Sequence, residues 1–304
     1  MLSQALKEQI FRLQKTNILM EEPMKNHTSF RIGGPAELMI EPESEEIFGK
    51  LLALFRKESV PFVVIGAGSN LLVGDRGIRG VVIKTGKAFD TISRRENIIT
   101  ASSGVTLAKL AAFAAKEKLS GLEFASGIPG LVGGAVYMNA GAYGGEMRDV
   151  VLRTYYYDEN GEKHAMEGDA QRFGYRSSVF AEGGKYIVSS EMQLGCGEED
   201  AIRMRMLELN RRRKEKQPLT YPSAGSTFKR PEGYFAAKLI EDAGLKGASV
   251  GGACVSEKHA GFVINRSGTA TAAEVCALIE QIKETVFKKF GVELQCEVKK
   301  IGDF

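Results

Sequence analysis

Phe62-Val-Val-Ile-Gly-Ala-Gly-Ser-Asn-Leu-Leu-Val73 is an apolar, β-forming run that breaks at Gly66-Ala67-Gly68 and resumes at Leu71. A dinucleotide-binding βαβ turn would need a third glycine opening a helix and an acidic residue about 20 positions further on. Leu71 holds the third-glycine position, and Gly74, Asp75 and Gly77 break any helix before the apolar residues 81–83. The stretch therefore reads as strand–turn–strand, and the doubly wound reading fails. A turn of this kind, with Ser69 and Asn70 as further donors, is either a structural hairpin or a phosphate-binding loop. These residues alone leave both open.

A second stretch is denser in glycine: Ser126-Gly-Ile-Pro-Gly-Leu-Val-Gly-Gly-Ala-Val-Tyr-Met-Asn-Ala-Gly-Ala-Tyr-Gly-Gly145. Of the 35 glycines, five lie within 66–80 and eight within 121–145. Glycine is entropically costly in regular structure, so such clusters mark tight turns or close backbone approach to a ligand. Long glycine-rich loops inside compact domains are usually functional. Only backbone and small side chains can lie flat beside a large planar or doubly charged molecule. Two such loops point to a large cofactor bearing a diphosphate.

Around these loops four helices are readable. Ser44 caps one, with Glu45 and Glu46 in its first turn, Ile47, Leu51, Leu54 and Phe55 as its stripe, and Pro61 beyond its end. A second runs from Thr106 and stops near Gly121; a third runs from 198–200 to Lys214. The last has a Thr271/Glu274 capping box and ends at Phe290 before Gly291. Strand-like runs cover 36–40, 62–65, 80–84, 98–102, 150–158, 185–194, 261–265 and 292–301. Without strict βαβ alternation, this mixture argues for an α+β fold.

The 304 residues suggest two domains, or one large domain with an appendage. The 43% hydrophobic and 26% charged composition is that of an ordinary globular chain. A net charge of +3 is too small to indicate nucleic acid or a membrane surface. Residues 1–14 alternate charged and apolar residues without an apolar core, and no apolar run reaches membrane-spanning length, so a cytoplasmic location is expected. Cys196, Cys254, Cys276 and Cys296 lie far apart with no ligand-like spacing; buried free thiols and no metal are expected.

The two loops resemble those of the flavin-binding fold shared by vanillyl-alcohol oxidase and p-cresol methylhydroxylase. Five further stretches narrow the match: Asn26-His-Thr-Ser-Phe-Arg-Ile-Gly-Gly34, Phe173-Gly-Tyr-Arg-Ser-Ser-Val-Phe180, Pro222-Ser-Ala-Gly-Ser-Thr-Phe-Lys-Arg-Pro231, residues 251–265, and Glu293-Leu-Gln-Cys-Glu-Val298. Together they resemble the shorter type of the UDP-N-acetylenolpyruvoylglucosamine reductase family, along nearly the whole chain. The resemblance implies an FAD-binding region in two subdomains, 1–86 and 87–210, and an α+β substrate domain, 211–304. It implies non-covalent FAD, NADPH as reductant, and a nucleotide-sugar enolpyruvate as substrate. No His or Cys lies in either glycine loop, which separates the chain from oxidases of this fold that tether flavin covalently. A monomer is expected, with no nucleic-acid or membrane partner.

The same resemblance distributes roles. Arg31, Gly66, Ala67, Gly68, Ser69, Asn70, Leu71, Ser126, Gly127, Ile128, Pro129, Gly130, Gly134, Asn139 and Gly141 would contact the flavin. Arg176, alone readable as a surface or structural cation, would polarise the substrate carboxylate. Glu297 lies on the polar face of 292–298, opposite Val292, Leu294, Cys296 and Val298. By pattern that is a solvated face; by resemblance Glu297 stabilises the enolic intermediate. Ser226, otherwise a turn hydroxyl, would donate the proton. Tyr175, Lys229 and His259 would hold the nucleotide sugar. Arg230 stands where the longer type has asparagine, which leaves its role open. Arg211, Arg212, Arg213 and Lys214 read as a solvated basic helix end.

Overall fold

The computed structural model describes residues 2–304; Met1, which heads the N-terminal stretch read above, lies outside the described residues. The chain folds into two compact units: Met1–Leu19 with Met39–Gly66 and Gly80–Arg213, and Met20–Leu38 with Ala67–Arg79 and Lys214–Phe304.

In the first unit α1 (Gln4–Leu13) and α2 (Glu45–Lys57) each start at a serine whose hydroxyl takes a first-turn N–H: Ser3 from Leu6 and Ser44 from Ile47. Strands Phe62–Ile65 and Ile78–Lys84 pair in parallel, Phe62 opposite Val81. A five-stranded antiparallel sheet runs in the order Lys163–Glu167, Val151–Asp158, Lys185–Gln193, Ile98–Ser102, Ile92–Arg95. α3 (Leu107–Lys116), capped by Thr106, buries Leu107, Leu110, Ala111 and Ala114 in a core shared with Ile99, Val136, Val151 and Met192. The helix stops short of Gly121 because Lys118 turns left-handed, and Leu119–Ser120 pairs instead with Gly195–Cys196. α4 (Val132–Tyr137) forms inside the glycine-rich stretch, where the sequence suggested only a loop. α5 (Glu199–Lys216) turns Ile202, Met206, Leu209 and Arg213 onto one face.

The second unit packs α6 (Ala236–Asp242) and α7 (Ala272–Phe290) with the antiparallel strands Ser249–Val250, Ala253–Val255 and Val263–Asn265. The Thr271/Glu274 capping box is formed and Gly291 closes α7 in the left-handed region. Both N–H bonds onto Glu274, from Thr271 and Gly252, hold its carboxyl below the usual range. Asp75 takes the N–H groups of Ala272 and Ala273 at 2.7 and 2.9 Å. Leu71–Val73 runs parallel to Lys299–Ile301.

Two expectations change. The run 292–301 is not one strand: only Lys299–Ile301 is laddered, although the alternation that buries Leu294 and Val298 survives. The hairpin alternative at 62–73 does not form, because Phe62–Ile65 and Leu71–Val73 take separate parallel partners. Of the thiols, Cys254 is buried, Cys276 and Cys296 are half-buried, and Cys196 is exposed rather than buried, since it ends a two-residue edge strand.

Candidate active site

In the second unit the turn after Gly66 is built on backbone. Gly68 sits at φ 64°, and a Cβ there would collide with the carbonyl oxygen of His27. Its own carbonyl accepts from Ser29 and Leu71 at 3.3 and 3.4 Å. The N–H groups of Ala67, Gly68, Ser69 and Asn70 have no acceptor among the described residues of their unit. Four successive donors left without protein acceptors fit an anion such as a diphosphate. The Asn70 side chain points elsewhere, donating to the carbonyl of Glu297 at 3.1 Å, while the Asn70 carbonyl accepts from Lys299 at 2.9 Å. Nearby, Arg31 is left-handed, φ 55°, with its N–H on Thr28 at 3.1 Å.

Ser226, Lys229, His259 and Glu297 are gathered around Thr227. Glu297 N–H donates to the Thr227 carbonyl and Lys229 N–H to the Gln295 carbonyl, both at 2.8 Å, so 226–229 lies antiparallel to 295–297. Buried Thr227 also donates its N–H to Gly261 at 2.8 Å, and its hydroxyl accepts from Val263 at 2.9 Å. Ser226, Lys229 and Glu297 are half-buried. His259 accepts the Gly261 N–H on Nδ1 at 3.1 Å, which leaves Nε2 as the proton-bearing nitrogen, and meets Phe262 edge-on at 4.9 Å. Burial pushes its pKa below the ordinary histidine value. Arg230 stacks its guanidinium over Phe235, 4.0 Å from the ring centre.

In the first unit the second glycine loop is pinned at intervals. Ser126 Oγ donates to Glu123, and the Gly130 carbonyl accepts from Leu107 at 3.1 Å. Val132 and Gly133 donate to Val105 and Ser103, both at 2.9 Å. A Cβ on Gly133 would press on Ser103, whereas one on Gly134 would meet nothing within 4 Å. The N–H groups of Gly127, Gly130, Leu131 and Gly134 have no acceptor among the described residues of the unit, and the buried Ser103 Oγ has no partner. Donors and an orphaned hydroxyl beside an open glycine face fit a large polar cofactor. Ile128 packs on the core, with Pro129 between it and Gly130.

Buried Asn139, at φ 46°, ties this loop to the next. Its amide donates to Glu146 and to the Gly174 carbonyl, both at 3.0 Å, and its oxygen accepts the Arg148 N–H at 2.9 Å. Gly174 and Ser177 exchange backbone bonds around Tyr175 and Arg176. Arg176 is left-handed, φ 53°, an unfavourable conformation for arginine held by that turn. Its Nη2 donates to the Gly141 carbonyl at 3.1 Å, and its guanidinium lies 5.2 Å from the Tyr175 ring centre. One buried asparagine thus couples the glycine loop to the turn that carries Arg176. The sequence did not disclose the role of Thr227 or the burial of Arg213. A hydroxyl residue next to Phe228 and an arginine on the Ile202/Leu209 face were the available signals.

A flavin-type cradle on an α+β frame defines the class. Residues 36–166 match the model of an FAD binding domain family. The chain is an FAD-dependent oxidoreductase of the vanillyl-alcohol oxidase fold type, using NADPH as reductant. Residues 217–301 match the C-terminal domain of UDP-N-acetylenolpyruvoylglucosamine reductase. The reductase of that name from Agathobacter rectalis is 52% identical over 305 residues, covering 96% of each chain. The one from Caldanaerobacter subterraneus subsp. tengcongensis is 50% identical over 291 residues, again 96% of each. The crystal structure of UDP-N-acetylenolpyruvylglucosamine reductase from Thermus caldophilus superposes with a TM-score of 0.80 at 34% identity, over 93% of this chain and 97% of that one. The chain belongs to the UDP-N-acetylenolpyruvoylglucosamine reductase family.

Proposed function

We propose that this protein reduces UDP-N-acetylglucosamine enolpyruvate to UDP-N-acetylmuramate, a step of peptidoglycan precursor synthesis. The supporting observation is the antiparallel pairing that sets Glu297 opposite Thr227, the chain neighbour of Ser226, on a segment tied to the Asn70 loop. The chemistry that bound FAD would supply is hydride transfer, with NADPH as the source and the vinyl carbon of the substrate as the acceptor. Residues 66–71 and 126–141, with Arg31, are the flavin contacts, using the unbonded N–H groups described above. Segments 1–86 and 87–210 hold the flavin in this reading, and 211–304 the nucleotide sugar.

Arg176 polarises the substrate carboxylate, where a fixed cation stabilises the charge that develops during reduction. Glu297 stabilises the enolic form, and Ser226 delivers a proton to the carbon beside the carboxylate. Tyr175, Lys229 and His259 hold the nucleotide sugar; Lys229 supplies a cation and His259 an Nε2–H donor. The enzyme works as a monomer in the cytoplasm; no helix among the described residues is long and apolar enough to cross a membrane. The test is incubation with NADPH and UDP-N-acetylglucosamine enolpyruvate. Mass spectrometry should find the nucleotide sugar carrying two added hydrogens, in step with NADPH oxidation. Oxidation of NADPH with the nucleotide sugar unchanged would refute the assignment.

A further inference from the structure

Two backbone pairings meet around Ser226, and the chain leaves both there. Val263 and Asn265, alternate residues of one strand, turn their N–H groups toward the segment that begins at Pro222. Asn265 donates to the Pro222 carbonyl at 2.9 Å, and Ser223 lies antiparallel to Ile264. Continued in register, that pairing would bring the Val263 N–H to the carbonyl of Ala224. It does not continue. Gly225 turns left-handed, φ 77°, and the Val263 N–H goes to the Thr227 hydroxyl at 2.9 Å instead. The second pairing starts only at that point, with the Glu297 N–H on the Thr227 carbonyl and Phe228 opposite Cys296.

Residues 224–226 therefore bulge out between two paired stretches, a device that re-aims a side chain and interrupts the backbone bonding. Ser226 makes no backbone hydrogen bond among the described residues. A Cβ on Gly225 would meet nothing within 4 Å, so the turn there stands free of packing. Thr227 is the anchor at the far end, only 2% exposed, and all three of its polar groups are used. Val263 is buried as well, and an orphaned N–H there would carry its full desolvation cost. The Thr227 hydroxyl removes that cost, and a valine of the same shape would not.

We propose that Thr227 is a positioning residue: by taking the N–H that the bulge orphans, its hydroxyl fixes where Ser226 stands relative to Glu297. The inference rests on the reading of Ser226 as proton donor. Thr227 acts through its neighbour. Loss of the hydroxyl leaves the Val263 N–H to seek the Ala224 carbonyl, which draws the bulge toward the strand and moves Ser226. A displacement of about 1 Å at a reacting group corresponds to roughly 100-fold in rate.

The experiment follows flavin absorbance by anaerobic stopped flow in the full-length holoenzyme and its variants. Thr227→Val should slow reoxidation by UDP-N-acetylglucosamine enolpyruvate about 10- to 100-fold, with reduction by NADPH within about twofold of wild type. Thr227→Ser keeps the acceptor and should recover most of the rate. In a Ser226→Ala background Thr227→Val should add no further slowing, because the group it positions is already gone. Gly225→Ala, strained at positive φ but free of clash, should slow the same step whether or not Thr227→Val folds. Unchanged reoxidation in Thr227→Val or Gly225→Ala would overturn the proposal. So would equal slowing of both half-reactions, or losses that add in the double variant. Normal reoxidation in Ser226→Ala alone would overturn the proton-donor reading, and the proposal with it.

Discussion

The side-chain amide of Asn70 donates to the backbone carbonyl of Glu297 at 3.1 Å across 227 positions of sequence. The same asparagine keeps its backbone N–H among the unbonded donors of the 67–70 turn. Its side chain therefore serves the Glu297 segment while its main chain serves the loop. Asn70→Ala deletes the first and keeps the second. It should hold FAD within a few-fold of wild type yet slow flavin reoxidation by substrate by about tenfold, the equivalent of roughly 1.4 kcal/mol. Stopped-flow absorbance of the two half-reactions checks this. Equal slowing of both would detach Asn70 from Glu297.

The two glycine loops respond to alanine in opposite ways. At Gly68 a Cβ meets the His27 carbonyl at φ 64°, so Gly68→Ala costs stability through clash and left-handed strain, at least about 2 kcal/mol. At Gly134 the Cβ meets only open space within α4. Gly134→Ala should leave the flavin-depleted protein as stable or more so, by roughly 0.5–1 kcal/mol, while weakening FAD binding. Melting curves with and without flavin separate the two. Flavin affinity unchanged in Gly134→Ala would mean that this face is not the flavin face.

Ser226 is expected to act in only one half of the cycle. A serine hydroxyl is a weak acid and becomes a plausible donor only toward a strongly basic carbon beside a carboxylate. Ser226→Ala should leave FAD reduction by NADPH nearly unchanged and slow reoxidation by substrate about 10²–10⁴-fold. Ser226→Cys should recover part of the loss, since a thiol can still donate. If NADPH reduction slows equally, Ser226 shapes the pocket and the proton comes from elsewhere.

His259 links stability to pH. Its pKa is held below 6.5 in the fold, chiefly by burial, so the unfolded chain binds the proton more readily. The stability this contributes is complete above pH 6.5 and is lost as pH falls through 6.5 toward the folded value. Melting midpoints of wild type should drop more steeply below pH 6.5 than those of His259→Gln. Parallel curves would show that His259 carries no such linkage.

What the sequence disclosed was local. Ser44, Thr106 and the Thr271/Glu274 pair announce their helices because an N-cap is written within four residues. α4 was hidden because Gly133 and Gly134 depress helix propensity; it forms where Val105 and Ser103 accept its first N–H groups. The pairing of Leu71–Val73 with Lys299–Ile301 joins segments far apart in the chain, and no local pattern specifies such a partner. Gly68 was legible as a close-approach glycine, but the approaching group within its unit is the His27 carbonyl. Arg213 was misread because four consecutive charges look like one surface, and only the helical period separates the one that turns inward.

One bound FAD is expected to carry reducing equivalents from NADPH to an enolpyruvyl nucleotide sugar. The most direct measurement is the visible spectrum of the purified protein under strict anaerobiosis. NADPH should bleach the flavin band, and UDP-N-acetylglucosamine enolpyruvate alone should restore it in full. A bleached band that returns only when oxygen is admitted would show that the enolpyruvyl nucleotide sugar is not the acceptor.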